Sequence, residues 1–312
     1  MNLHEDKDAF EQYLAATADY IGIANTDIIE KDYYVTFFLK RIAEKQPNVI
    51  FKGGTSLSKC HRIINRFSED IDLNVDTDAA KLTEGQRKRL KKDIISIVEE
   101  SGFTLENPDQ IRSRRDFNRY VINYKATNSF DYLKQYLLVE TSVFIKSFPS
   151  KVLPAASLVH DFMLSKNTAD EIERYGMQPF EVKVQSIERT FIDKVFAIAD
   201  YYLSSQVESH SRHIYDLNKL YPKITFDSTF STLVEAVREV RKPHAACLSA
   251  QDGVDLKNLL YRIVSEDIYE FDYNRITRTL LFEDVSYSDS IGVLNKIICD
   301  GFFDRSVARS GT

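Results

Sequence analysis

The sequence predicts an α+β chain in two domains, a mixed-sheet domain over residues 1–185 followed by a C-terminal helical domain over 186–312. Three observations predict it. Short apolar runs of strand length alternate with amphipathic runs up to about residue 185, the strand signal then largely disappears while helical periodicity continues, and 43% hydrophobic residues supply a real core.

Residues 8–41 read as two helices, with Ile29, Tyr33, Phe37 and Leu39 close to one apolar face and "EKDYY" (30–34) packing the second helix onto the sheet. "NVIFK" (48–52) reads as a short buried strand, "TSLSKCHRII" (55–64) as a helix and "EDIDLNV" (69–75) as a strand. An amphipathic helix over 83–101 ends near Gly102. "RYVINYK" (119–125), "QYLLVETSVF" (135–144) and "FEVKVQ" (180–185) complete a mixed sheet. Helices then follow at 186–205, 210–221, 228–241, 254–267 and 288–300, and the terminal "RSVARSGT" is expected to fray.

Composition narrows the class. A net charge of -6 argues against a protein that coats nucleic acid non-specifically, because such proteins neutralise many phosphates. "RKRLKK" (87–92) and "RSRRDFNR" (112–119) are local basic stretches that either border a polyanion site or form a solvated helix face and a charged strand edge. No run approaches the roughly 18 apolar residues of a membrane helix, and the acidic start lacks the pattern of a secretory signal. Cys60, Cys247 and Cys299 have neither paired-ligand spacing nor an even count. A cytoplasmic protein with no membrane partner is expected; its oligomeric state is not legible.

The stretch "FKGGTSLSKCHRIINRFSEDIDLNV" (51–75) concentrates the chemistry. On a strand, Asp70, Asp72 and Asn74 share one face and Ile71, Leu73 and Val75 the other. Two carboxylates so placed repel unless a cation sits between them, and hard oxygen donors favour magnesium or manganese, with substrate phosphates completing the coordination. Gly53 and Gly54 follow a strand and open a helix, so their N–H groups can approach phosphate oxygens without a Cβ in the way, and the Thr55 and Ser56 hydroxyls can add donors. The spacing is neither a Walker A loop nor a dinucleotide fingerprint. Taken singly, "GGTS" also reads as a turn with a helix cap and the paired aspartates as a solvated strand face.

In combination, a Gly-Gly-hydroxyl turn, a helix and a paired-Asp strand, with 16 positions from Gly54 to Asp70, resemble the nucleotidyltransferase superfold typified by DNA polymerase beta. That fold usually carries a third carboxylate on a neighbouring strand. Glu140 is the candidate, since a carboxylate in "LLVETSV" needs a cation or hydrogen bonds. Its alternative role is an ion pair with an arginine such as Arg119.

Five segments point further: "EKDYYVTFFL" (30–39), "FKGGTSLSK" (51–59), "RFSEDIDL" (66–73), "SIERTFIDKVFAI" (186–198) and "RHIYDL" (212–217) resemble the AbiEii and MenT group of nucleotidyltransferase-like toxins over roughly residues 28–220. On the helix after Ser186, Ile187, Phe191, Val195, Ile198 and Tyr202 form an apolar face, and Lys194 lies about 20° from Ile187 at 100° per residue. Such a lysine snorkels, pairs with a carboxylate or neutralises a phosphate. The resemblance implies the last, with Lys194 in the place of the family's active-site lysine and Asp216, 22 positions on, as the motif aspartate that works with it. Read by spacing alone, Asp216 pairs with Arg212 at i, i+4. Glu188 and Arg189 are weaker candidates; Lys52, Arg66 and Ser68 join the nucleotide-binding set by their place in the motifs.

The resemblance therefore implies transfer of a nucleotide from a nucleoside triphosphate, with Asp70, Asp72, Lys194 and Asp216 catalytic and Asp70, Asp72 and Glu140 on magnesium or manganese. It implies the 3′ end of tRNA as acceptor, a block on translation, a cognate antitoxin and a place in phage defence. A basic rim from Arg112, Arg114, Arg115 and Lys134 would suit that acceptor. A protein or small-molecule acceptor, or nucleotide binding without transfer, would use the same groups.

Overall fold

Asp6 and Asn25 begin the first two helices, each accepting a bond from a backbone N–H of the first turn, and α1 (Lys7–Ile21) and α2 (Thr26–Lys45) follow from them. The structure is a computed structural model that describes residues 1–76, 82–124, 126 and 136–304; Lys134 and the terminal 305–312 lie outside the described residues. The chain divides into two compact units, Met1–Gln185 and Ser186–Thr312.

The first unit is built on a seven-stranded mixed sheet. Its strands are β1 (Val49–Lys52), β2 (Asp70–Val75), β3 (Thr104–Leu105), β4 (Phe117–Asn123), β5 (Tyr136–Ser142), β6 (Ser150–Ala155) and β7 (Phe180–Gln185), in the spatial order β3-β4-β5-β2-β1-β7-β6. β2 runs parallel to β5 and β1 parallel to β7; the remaining neighbours are antiparallel. Ile71, Leu73, Leu137, Val139, Tyr120 and Ile122 face one side and are buried. α2 and α4 (Glu84–Glu100) pack with them into one core. β6 was not anticipated from the sequence: Pro154 reads as a breaker, yet proline is tolerated at a sheet edge, which is where β6 lies. Nor were α5 (Leu158–Ser165) and α6 (Ala169–Arg174), each too short for a clear helical period.

α3 (Gly53–Lys59) begins on the glycines themselves and stops before residue 60, five residues short of its expected end. Ile63 N–H closes back on the Leu57 carbonyl and Arg62 adopts a left-handed φ of 57°, so the chain leaves the helix early and runs extended into β2.

Instead of one apolar face, α2 is buried almost all round between residues 29 and 39, Phe37 being the partly exposed exception. Three consecutive charges, Glu30, Lys31 and Asp32, go in with it. Charges so buried must be paired. Asp32 accepts from Lys59 Nζ at 2.6 Å and from the Leu158 N–H at 2.8 Å, and Lys59 also donates to Thr36 Oγ1 at 2.6 Å. Lys31 is ion-paired to Glu69, the residue before β2. The "EKD" segment thus pins α3 and the start of the acidic strand to α2.

In the second unit, Ser186 caps α7 (Ile187–Leu203), followed by α8 (Arg212–Leu220), α9 (Ser228–Arg241), α10 (Leu256–Ser265), short helical turns between 270 and 280, and a last helix, Tyr287–Asp300. Phe191, Phe196, Phe230 and Phe303 form its aromatic centre. α7 is also buried on more than the expected face. Its Asp193 and Asp200 both accept from Arg241, at 3.2 and 2.6 Å, and Ser249 closes the network on Asp200. Among the described residues no helix is long and apolar enough to cross a membrane.

Replacing Asp32 by Ala strands the Lys59 ammonium in the core and is expected to lower unfolding stability by about 3–5 kcal/mol. Removing Glu84, partner of the exposed Lys88, should leave it nearly unchanged. Urea unfolding of the two variants compares them directly.

Candidate active site

Period-two alternation and strand register assemble one charged row on the sheet face opposite the core. Lys52 stands opposite Asp72, Asp72 opposite Glu140 and Glu140 opposite Arg119, across β1, β2, β5 and β4 in turn. Neighbouring strands lie about 4.8 Å apart, so the row places two carboxylates side by side between two cations. Asp70 is one pleat along from Asp72, on the same face.

Gly53 enters the site from the end of β1 with φ +77°, a backbone conformation that side chains rarely adopt. A Cβ there would overlap the Asp72 carboxylate; one on Gly54 would lie 2.5 Å from the Arg66 guanidinium and 3.0 Å from Ser68 Oγ. Both glycines are therefore required by close approach. They bring the start of α3 against Asp72, Arg66 and Ser68 without leaving a gap. The hydroxyls behave differently from expectation: Ser56 Oγ donates to the Gly53 carbonyl at 2.8 Å and Thr55 Oγ1 lies 2.8 Å from Ser68 Oγ, both residues being buried. They shape the turn. Arg66, also buried, donates to the Phe67 carbonyl at 2.8 Å.

Of the two roles open to Glu140 in sequence, the ion pair with Arg119 is formed. Glu140 is in register with Asp72 and accepts from Arg119 Nε at 2.8 Å and Nη2 at 2.7 Å. Among the described residues no three His, Cys, Asp or Glu side chains converge as a ready cage for a metal. Asp70 and Asp72 nevertheless fit magnesium or manganese, which bind through one or two carboxylates and take further oxygens from substrate phosphates. The oxygen-only donor set and the absence of Cβ bulk at Gly53 both suit that arrangement.

In the second unit, Lys194 and Asp216 are each other's partner. Nζ lies 2.6 Å from Asp216 Oδ2, with Asp216 fully buried. A third member, His213, was not legible in the sequence; its Nδ1 lies 3.2 Å from Lys194 Nζ. An ammonium can only donate, so Nδ1 accepts and the ring's own proton sits on Nε2. Burial, then the neighbouring Lys194 charge, hold the His213 pKa well below its usual value. Next to it His210 stacks on Tyr201 at 3.5 Å, and burial takes its pKa down to about 4. Arg189 is buried and bonded to Asp193 at 3.0 Å, a structural role within α7.

The basic stretches divide. Lys88 and Arg89 project from α4, largely exposed, and pair with Glu84 and Asp93 at i, i+4, a solvated helix face. Arg114 is 86% exposed at the loop before β4, with Arg115 and Arg112 turned onto backbone carbonyls beside it. A separate cavity of about 240 Å³, lined by Tyr33, Phe37, Lys40, Arg41, Tyr175 and Met177 among others, shares no residue with the charged row.

With this geometry in place the likenesses to known proteins are informative. The family model described as nucleotidyl transferase AbiEii toxin, type IV toxin–antitoxin system, matches residues 38–289. Among solved structures, MenT4, a nucleotidyltransferase toxin from Mycobacterium tuberculosis H37Rv, aligns with TM-score 0.52 and 16% identity, covering 94% of this chain and 90% of its own. At that identity the likeness is one of fold. No curated protein matches the sequence.

Two variants separate strain from site geometry. Gly22 has φ +80° and open space where a Cβ would sit, so Gly22→Ala should lower stability by about 1 kcal/mol and nothing else. Gly53→Ala adds overlap with Asp72 to the same backbone strain and is expected to weaken divalent-cation binding as well, measured by calorimetry beside urea unfolding. A second expectation concerns pH. His210 and His213 stay neutral in the fold, whereas the unfolded chain binds protons below about 6.5, so stability is retained above that pH and falls from pH 6.5 toward pH 4. Urea midpoints at successive pH values, with a His213→Gln variant that shows a shallower fall, check it.

Proposed function

The chain belongs to the AbiEii family of nucleotidyl transferase toxins of type IV toxin–antitoxin systems, and from this premise we propose that it transfers a nucleoside monophosphate from a nucleoside triphosphate to the 3′ end of tRNA. The family also implies a cognate antitoxin as partner. The observation that carries the reading is the packing of Gly53 against the Asp72 carboxylate, which brings the glycine backbone at the start of α3 beside two carboxylates on one strand face.

In this account Asp70 and Asp72 hold magnesium or manganese, and Glu140 is the third carboxylate in reach. The metal, when bound, supplies charge that polarises the acceptor hydroxyl and stabilises the departing pyrophosphate. The chain's own groups bind and orient. The N–H groups of Gly53 and Gly54 face the phosphates and Lys52 offsets their charge; Lys194 stands in the place of the family's active-site lysine, and Asp216 with His213 holds its ammonium in one position. Arg66, Ser68, Thr55 and Ser56 keep the glycine turn in shape. The acceptor 3′ oxygen forms a bond to the α-phosphorus as the α–β bridging bond breaks, an in-line displacement in which positioning and charge do most of the catalysis. Extra nucleotides on the 3′ end of tRNA would block aminoacylation and so translation, and a toxin acting in this way serves phage defence.

The net charge of -6 is the one feature that favours a protein or small-molecule acceptor instead. Incubating the protein with magnesium, total tRNA and each α-labelled nucleoside triphosphate in turn distinguishes the acceptors. Label is expected in the RNA band with wild-type protein and should be lost with Asp72→Ala, whose circular dichroism stays native. Label in protein, or in a small product from cell extract, would replace the tRNA reading; full transfer by Asp72→Ala would overturn the site.

A further inference from the structure

The Arg119–Glu140 pair occupies an odd place. Glu140 is the next carboxylate after Asp72 in the row, on an adjacent parallel strand and the same face, yet its oxygen is held by two nitrogens of Arg119. Here the Arg119 side chain is 57% exposed, and an exposed ion pair is weak enough for a metal ion or a phosphate to part it. The guanidinium fork also matches a phosphate as well as it matches a carboxylate. Arg119 lies on β4, the next strand outward from β5 on this face, and is reached there from solvent.

We propose that Arg119 and Glu140 form an exchange latch: Arg119 engages the Glu140 carboxylate until a phosphate of the acceptor RNA takes the guanidinium, and Glu140 then joins Asp70 and Asp72 on the cation. The inference rests on the metal site proposed above and deepens it. Metal binding and acceptor binding become coupled, because each removes one partner from the other. An enzyme built this way assembles its full ligand set only when an acceptor backbone is present, which disfavours hydrolysis of the triphosphate by water. Arg119 is on this account a positioning residue for Glu140 as well as a contact for RNA.

The pair predicts opposite effects from its two halves. Mn2+ is titrated by paramagnetic resonance, without nucleotide or RNA, into wild type, Arg119→Gln, Glu140→Gln, the double variant and Asp72→Asn. Arg119→Gln should tighten Mn2+ binding by roughly 1.4- to 5-fold, the factor that the worth of an exposed ion pair converts to, and adding Glu140→Gln should abolish the increase. With EDTA in place of metal, a short labelled single-stranded RNA should bind Glu140→Gln more tightly than wild type. It should bind Arg119→Gln more weakly, with the slope of log K against log salt reduced by about 0.7. Arg119→Lys, which keeps the charge but lacks the fork, should lie between. Thermal melting confirms that each variant is folded. Mn2+ affinity unchanged in Arg119→Gln, while Asp72→Asn weakens it, overturns the latch and leaves the metal site standing; Mn2+ affinity unchanged in Asp72→Asn overturns the metal site and the latch with it.

Discussion

The approach of the Gly53 backbone to the Asp72 carboxylate is the constraint on which the site depends. Nothing larger than a hydrogen fits between them, and the left-handed φ at Gly53 turns the chain from β1 into α3 at that point. Three other features follow from it. The first turn of α3 lies over the acidic strand, Arg66 and Ser68 pack against the second glycine, and the hydroxyls of Thr55 and Ser56 are spent on the turn itself. The motif is best understood as a device for bringing backbone N–H groups next to carboxylates. Such an arrangement offers an anion and a cation adjoining places, as a metal-bound triphosphate requires.

That approach needs rigid backing, and the first unit supplies it with buried ion pairs. Lys31 with Glu69 and Asp32 with Lys59 tie α2 to the residue before Asp70 and to the end of α3. Buried pairs of this kind are a poor source of net stability compared with apolar packing, but breaking one is severe. Their placement at both ends of the segment 59–69 fixes the position of that segment against α2. The second unit uses the same chemistry in Arg241, Asp193 and Asp200 beneath the helix that carries Lys194.

What was legible in the sequence was what is local. Asp70 and Asp72 could be assigned to one face because strand periodicity needs no tertiary information, and Lys194 stood out because a lysine beside an apolar stripe is anomalous on its own helix. The helices after residue 186 were legible for the same reason. The missing parts are non-local. That Asp32 meets Lys59 depends on packing between segments far apart in the chain; the equally distant Lys194–Asp216 and Arg119–Glu140 pairs were reached only through the family motifs and as an alternative for a strand carboxylate. His213 belongs with Asp32 among the missing parts. β6 was hidden because a proline in a short exposed run gives no strand signal until its neighbour β7 is known. The family motifs, by contrast, were readable as words before their geometry was, and the AbiEii match over 38–289 covers four of the five segments that carried the resemblance and only the last two residues of "EKDYYVTFFL".

The central claim is that one sheet face holds a divalent cation and a triphosphate together. It is tested most directly by a crystal grown with manganese and a non-hydrolysable nucleoside triphosphate, with data collected for the anomalous signal of the metal. The account predicts a manganese peak coordinated by Asp70 and Asp72, with phosphate oxygens bonded to the N–H groups at Gly53 and Gly54. A triphosphate bound elsewhere, or manganese bound away from both aspartates, would contradict it.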